Sequence, residues 1–124
     1  MNIINHPDLP PSNGHYSVAI EHNGTLYISG QLPIDLETKE IPPTVEEQTE
    51  LVLRKVAQIV EVSGSSKEQI IQMRVYVSDV QLWDRVNAVY ARFFGEYKPV
   101  RVVVPTRDLH YGCLIEVEAT AAVD

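Results

Sequence analysis

The residues best suited to chemistry lie in two neighbouring apolar stretches near the end of the chain. Arg101 interrupts the run 100–104, and Glu116 and Glu118 interrupt the run 113–123. Both runs have the composition of β-strands. If the two strands lie near each other, within one chain or across a subunit contact, a guanidinium fork and a carboxylate converge on one cleft. A guanidinium fork can bind a small carboxylate through paired hydrogen bonds.

The second of these strands alternates strictly between two faces. One face is wholly apolar and is predicted to be core, whereas the other is half acidic and half apolar, as expected at a functional site or a subunit interface. The apolar face comprises Cys113, Ile115, Val117, Ala119 and Ala121, and the mixed face comprises Leu114, Glu116, Glu118, Thr120 and Ala122. Arg101 also has a purely structural interpretation, an ion pair with Glu116 or Glu118 at an interface.

Length and charge limit the classes of function. A chain of 124 residues predicts one domain, residues 1–124, with a single continuous core. The net charge is −7, and residues 1–50 hold one basic residue against eight acidic ones, while residues 51–124 hold nine of each. No segment has the basic stripe that binding to a phosphate backbone requires, so nucleic acid is disfavoured as the main ligand.

The N-terminal sequence, the length of the apolar runs and the cysteine content indicate the cellular compartment. The first 14 residues lack the basic start and apolar core of a signal peptide, and no apolar run is long enough to span a membrane. We therefore expect a cytoplasmic protein without a membrane partner. One cysteine, Cys113, excludes an internal disulfide and a cysteine-built zinc site, and a buried structural thiol is predicted there.

The first half of the chain predicts an irregular arm over residues 1–14, then a hairpin and a helix. Strands are expected at Tyr16–Glu21 and Thr25–Ser29, because Asn23-Gly24 between them is the favoured dipeptide of a type I′ turn. Gly30 ends the second strand and would allow a close approach to its backbone. After a loop with three prolines, a capping-box pattern at Thr44 and Glu47 starts a helix that ends near Gly64.

The second half predicts a strand over Gln72–Ser78 and a second helix that opens at Asp79 and stops at Gly95 and Pro99. Its aromatic residues Trp83, Tyr90 and Phe93 are expected in the core. The resulting order β-β-α-β-α-β-β is typical of an α+β sandwich in which two helices cover one face of a single sheet. The other face has no helices left to cover it, so oligomerisation is the simplest way to bury it.

Metal and phosphate sites are not predicted. Histidines 6, 15, 22 and 110 are scattered over loops without the spacing of a metal site, which favours surface histidines, and the glycines stand singly rather than in a phosphate-binding loop.

Five short segments together resemble the reactive-intermediate deaminase family, also called the RidA or YjgF family. They are Gly14-His15-Tyr16-Ser17, Ser29-Gly30-Gln31-Leu32-Pro33, Asn87-Ala88-Val89-Tyr90 with Phe93-Phe94, Pro99-Val100-Arg101 and Ile115-Glu116-Val117-Glu118-Ala119. No single motif is decisive, but their order and spacing are specific, and the similarity extends over nearly the whole chain.

The resemblance implies a chorismate-mutase-like α+β subunit, assembled as a homotrimer with ligand clefts between subunits. It also implies hydrolysis of 2-iminobutanoate, 2-iminopropanoate and their enamine tautomers, released by pyridoxal-phosphate-dependent dehydratases, to 2-oxo acids and ammonia. By position, Arg101 would bind the substrate carboxylate, Glu116 would position or deprotonate water, and Tyr16 would hydrogen-bond that water or the departing nitrogen. The backbone near Gly30 would border the ligand. No metal and no cofactor are implied.

Three departures from the family pattern alter the expected cleft. Val103 stands where the family often has a cysteine, Gly-His-Tyr-Ser-Val replaces Gly-Pro-Tyr-Ser-Gln, and Pro-Val-Arg replaces Pro-Ala-Arg. Val103 should make the substrate cleft more apolar, and His15 adds a group that titrates near neutral pH.

Two other functions stay open. One is a module that binds 2-oxo acids without useful turnover. The other is the ribonuclease or translation-inhibitor activity of some relatives, which the acidic composition disfavours.

Overall fold

The computed structural model describes residues 1–124 and has the α+β architecture predicted from the sequence. Its elements are β1 (Asn2–Ile3), β2 (Ala19–His22), β3 (Thr25–Gln31), α1 (Val45–Val62), β4 (Ile70–Val77), α2 (Trp83–Phe94), β5 (Val100–Pro105) and β6 (Ile115–Ala122). The strands form one six-stranded sheet in the order β1-β2-β3-β6-β4-β5.

The last strand of the chain lies inside the sheet. β6 pairs antiparallel with β3 on one side and with β4 on the other. β4 and β5 are parallel, and α2 makes the crossover between them. Each neighbour of β6 is therefore held in a fixed register against the strand that carries the candidate glutamates.

Both helices pack on one face of the sheet, where the core lies. The predicted apolar face of β6 is confirmed, since Ile115, Val117, Ala119 and Ala121 are all at most 1% exposed. The predicted start of α1 is also confirmed, because the Glu47 amide donates to Thr44 Oγ1 at 3.2 Å and makes Thr44 the N-cap. Glu47 Oε1 accepts the Thr44 hydroxyl at 2.8 Å rather than the Thr44 backbone N–H of a full capping box.

The predicted hairpin is present, with the turn that its sequence favours. Asn23 and Gly24 have φ values of 52° and 79°, so both adopt the left-handed conformation of a type I′ turn. His22 pairs with Thr25 across this turn.

Several predicted boundaries were wrong. The N-terminal arm contains β1, which pairs with β2, and Tyr16 precedes β2 instead of lying within it. Asp79 caps a single 3₁₀ turn through the Gln81 amide at 2.8 Å, so α2 begins only at Trp83. As a result Trp83 is 39% exposed at the start of the helix and does not join the core. Cys113 is buried as expected but precedes β6, which starts at Ile115.

The face of the sheet opposite the helices is uncovered. Tyr27, Val100 and Val102 are 52%, 62% and 44% exposed on it, which is a large apolar exposure for strand residues.

In this structure neither helix has the length and apolarity required to cross a membrane.

A buried glutamine connects α1 to the start of β6. Gln48 is only 3% exposed. Its amide nitrogen donates to the Pro42 carbonyl at 2.9 Å, and its amide oxygen accepts from the Leu114 backbone N–H at 2.8 Å. Because Leu114 lies two residues before Glu116, this side chain fixes the point at which the glutamate-bearing strand begins.

Replacing Gln48 by alanine is expected to destabilise the protein by about 1 to 3 kcal/mol, because the buried N–H of Leu114 loses its acceptor. The measurement is the free energy of unfolding from urea titration. Gln58→Ala is the matched control on the same helix, since the Gln58 amide makes only one long contact, 3.5 Å, with the Asp8 carbonyl. Equal destabilisation by both variants would contradict the assigned role of Gln48.

Candidate active site

Arg101 lies on β5 and faces α2. Its partner in register on β4 is Met73, a fully buried core residue, so the arginine side chain points to the helix-covered side at the edge of the sheet. Its Nη1 donates to Asn87 Oδ1 at 2.9 Å, and its guanidinium carbon lies 4.6 Å from the Tyr90 ring centroid. Asn87 and the Tyr90 ring therefore hold the fork in one orientation while its remaining donors stay free.

No carboxylate pairs with Arg101 within the chain. None of the ion pairs of the structure involves this residue. The ion pair with Glu116 or Glu118 that was considered from the sequence is therefore absent from the single chain. A half-buried guanidinium without a counter-ion is a suitable partner for an external carboxylate.

A cavity of about 420 Å³ adjoins the guanidinium and is lined in part by Asn87, Tyr90, Lys98 and Arg101. The hydroxyl of Tyr90 is buried and has no hydrogen-bond partner. Burial raises the pKa of Tyr90 to about 12, against the opposing effect of the Arg101 charge. Tyr90 therefore stays neutral, which preserves its ring as an uncharged platform for the guanidinium.

Glu116 lies on the opposite side of the sheet. It is opposite Tyr76 of β4 in register, on the mixed face of β6. The carboxylate is half-buried and takes part in none of the ion pairs of the structure. Burial raises the pKa of Glu116, the nearby charge of Glu118 raises it further, and His110 opposes both effects. A carboxylate whose pKa is raised is a stronger base than an ordinary glutamate and is suited to accept a proton from water.

Glu118, by contrast, already has partners. Its Oε1 accepts a hydrogen bond from the Tyr76 hydroxyl at 2.5 Å and lies 3.3 Å from Arg74 Nε. Of the two glutamates on the mixed face, only Glu116 is thus left available to a ligand.

Gly30 lies directly against the Glu116 carboxylate. A Cβ atom at this position would overlap Glu116 Oε2, so any larger residue would displace the carboxylate. The pairing of β3 with β6 shifts register between Ile28 and Gln31, the segment that contains this glycine. The close approach predicted for the Gly30 backbone is therefore an approach to the candidate catalytic carboxylate.

Tyr16 and Gly30 line one cleft of about 330 Å³, together with His110 and residues of the N-terminal arm. The Tyr16 ring is 52% exposed. The Ser12 hydroxyl donates to the Tyr16 carbonyl at 2.6 Å and fixes the backbone of the arm there.

The candidate residues form two separate half-sites in one chain. Arg101 and Val103 lie on the helix-covered side of β5, where Val103 packs against the core opposite Val75. Glu116, Gly30 and Tyr16 lie together elsewhere. Convergence of the arginine and the glutamate across a subunit contact stays a prediction.

Two residues of these half-sites received no role from the sequence. Asn87 was part of a recognised motif, but only the packing of α2 on β5 shows that it holds Arg101. His110 was interpreted as a surface histidine, and only the return of the chain before β6 places it beside Glu116. No local sequence signal identifies either contact, because each joins residues of different elements.

A family model described as Endoribonuclease L-PSP matches residues 7–123. A RutC family protein of Pyrococcus horikoshii is 42% identical over 113 residues, which cover 90% of each chain. The structure of TdcF from Escherichia coli with bound serine is 32% identical, covers 100% of both chains and superposes with a TM-score of 0.93. A Rid family protein of Yersinia pestis is 32% identical over 98% of both chains, with a TM-score of 0.92.

The family match spans nearly all of the chain, the relatives cover 90% or more of it, and the two solved structures have the same fold. The chain therefore belongs to the RidA/YjgF family, whose members the Endoribonuclease L-PSP model describes.

Proposed function

We propose that this chain is an imine deaminase that acts as a homotrimer, with its ligand clefts between neighbouring subunits. One subunit would supply Arg101, and its neighbour would supply Glu116, Tyr16 and the backbone at Gly30. The observation that carries the proposal is the pair of complementary half-sites: an oriented guanidinium without a carboxylate and a half-buried carboxylate without a cation. Each costs free energy in the single chain, and bringing them to one cleft with a substrate between them relieves both costs.

The uncovered sheet face supports the assembly. Its exposed apolar residues Tyr27, Val100 and Val102 need a partner, and β5 carries both Val102 and Arg101 on adjacent positions. Burial of this face against a neighbour would therefore bring the Arg101 edge of one subunit toward another subunit.

The proposed reaction adds water to the C=N carbon of a 2-imino acid. The Arg101 fork, fixed by Asn87, binds the substrate carboxylate and thereby places the imine carbon beside the water. Glu116 accepts a proton from the water as its oxygen bonds to carbon, and the same proton is then returned to nitrogen. The hydroxyl proton of the resulting carbinolamine then moves to the nitrogen through Glu116, the carbonyl forms and the carbon–nitrogen bond breaks. Ammonia and a 2-oxo acid are released, while Tyr16 hydrogen-bonds the water or the leaving nitrogen.

The ligand of one relative is consistent with this substrate class. The Escherichia coli TdcF structure contains bound serine, an amino acid with the α-carboxylate that an arginine fork recognises. In this chain Arg101, held in place by Asn87 and Tyr90 of α2, would bind such a carboxylate. The family description as an endoribonuclease raises RNA cleavage as another function, which the net charge of −7 disfavours.

Arg101→Ala is expected to lower kcat/KM for 2-iminobutanoate roughly 100-fold, because two charge-assisted hydrogen bonds to the substrate carboxylate are lost. Arg101→Lys should recover only part of this loss, since an ammonium cannot make the bidentate contact. The measurement is release of 2-oxo acid in the presence of a threonine dehydratase that generates the imine.

The matched control is Arg85→Ala, which removes an exposed arginine whose Nε and Nη2 bind Glu46 at 2.7 Å, away from both half-sites. It should leave turnover unchanged. Sedimentation is run on every variant: if Arg101→Ala dissociates the oligomer, the arginine is an interface residue and the assigned role is wrong. Calorimetry with 2-oxobutyrate identifies a binding module instead, if the wild type binds the acid but does not accelerate imine hydrolysis.

The value of kcat/KM should fall on the acidic side of its pH profile, and the apparent pKa of this acidic limb should lie above the ordinary range of a glutamate. Glu116 must be ionised to accept a proton, so activity falls as the pH decreases through its pKa, and burial raises that pKa. His110→Gln should move the limb to higher pH, because the His110 charge lowers the pKa of Glu116.

Glu116→Gln is the reference variant for this profile and should lose most of the activity along with the limb. Because the pKa is raised in the folded state, ionised Glu116 opposes folding at a pH above that pKa, so the subunit should unfold no more easily after this substitution. An unchanged limb in Glu116→Gln would assign the titration to another group.

A further inference from the structure

The cleft that contains Tyr16 and Gly30 extends to a lysine on α1. Lys55 lines it together with Lys39 of the loop after β3 and His110 of the turn before β6. The mechanism proposed above uses Tyr16, Gly30 and His110 but assigns no role to the two lysines.

The ammonium of Lys55 is held in place but is not neutralised. Its Nζ donates to the Leu32 carbonyl at 2.7 Å and to the Ile34 carbonyl at 3.2 Å. These bonds use two of its three N–H donors, and no carboxylate forms an ion pair with it. Burial lowers the pKa of Lys55, and the like charge of Lys39 adds to that effect, while Cys113 and Asp35 oppose it. The half-buried cation would thus gain free energy from an anion.

The acidic group of this cleft does not pair directly with Lys55. The Asp35 charge acts on Lys55 from a distance, but Asp35 forms no ion pair with it, and its Oδ1 accepts the amide N–H groups of Glu37 and Thr38, each at 2.9 Å. Glu116 lies against Gly30 but does not line this cleft and forms no ion pair with Lys55. In a chain with a net charge of −7, this cleft therefore has an excess of basic groups.

We infer that the cleft accepts the second carboxylate of a dicarboxylic 2-imino or 2-oxo acid, with the third N–H of Lys55 as its donor. The inference rests on the proposed function, in which Arg101 of the neighbouring subunit binds the first carboxylate. Leu32, whose carbonyl holds Lys55, lies two residues beyond Gly30, or about 7 Å along an extended chain. A four- or five-carbon diacid is long enough to bridge this distance from the reacting carbon.

The test is calorimetry of the wild-type protein with 2-oxoglutarate, its 5-methyl ester and 2-oxobutyrate. 2-Oxoglutarate should bind about tenfold more tightly than either of the others, because only it offers a second carboxylate to a buried ammonium. Lys55→Met should abolish this preference and leave the affinity for 2-oxobutyrate within about twofold.

Lys67→Met is the matched control, since Lys67 also donates to a backbone carbonyl, that of Phe93 at 2.6 Å, but lies outside this cleft. It should keep the preference. The comparison of 2-oxoglutarate with its methyl ester needs no variant, so it can overturn the inference even if Lys55→Met does not fold. Equal affinity for the acid and its ester overturns the inference, as does a preference that survives in Lys55→Met.

Arg101→Ala separates this inference from the proposed function. If the wild type binds 2-oxobutyrate and Arg101→Ala does not, the cleft functions as proposed. A wild type that then shows no preference for 2-oxoglutarate overturns the role of Lys55 alone. If neither acid binds the wild type, or if both bind Arg101→Ala unchanged, the proposed function and the inference fail together.

Discussion

The strict two-sided pattern of β6 is the constraint on which the rest of the molecule depends. Because β6 lies between β3 and β4, its register fixes both neighbours. The face with Ile115, Val117, Ala119 and Ala121 is buried under the helices, and a shift of one residue would place two glutamates in that core. The same alternation forces Glu116 onto the side away from α2. The hydrophobic core and the position of the candidate carboxylate, Glu116, are therefore set by a single register.

The second consequence is that the two charges of the proposed site are kept apart in one chain. Arg101 is oriented by Asn87 and Tyr90 on the helix-covered side, and Glu116 is confined by Gly30 on the other. Neither is neutralised by a partner, in contrast to Glu118, which is bonded to Tyr76 and Arg74. An arrangement that leaves one cation and one anion unpaired is costly unless another subunit and a ligand complete it.

The sequence predicted the elements of the fold well where local rules apply. The Asn23-Gly24 turn, the helix cap at Thr44 and the alternation of β6 each depend on residues close in the chain, and each was confirmed. The errors arose where tertiary packing overrides local preference. Asp79 has the side chain of a helix cap, but it caps a 3₁₀ turn, and Trp83 at the following helix start is left exposed. β1 is too short to have its own signal and exists because β2 offers an edge.

The sequence by itself determined the α+β class, the strand faces, the family and the identity of Arg101, Glu116, Tyr16 and Gly30 as candidates, because periodicity and motif order are local properties of a chain. Only the tertiary structure decided that Arg101 is held by Asn87, that Glu116 lies against Gly30 and beside His110, and that Lys55 enters the same cleft as Tyr16. These contacts join residues far apart in the chain. Their distances are set by strand order and helix packing, which no short segment of sequence encodes.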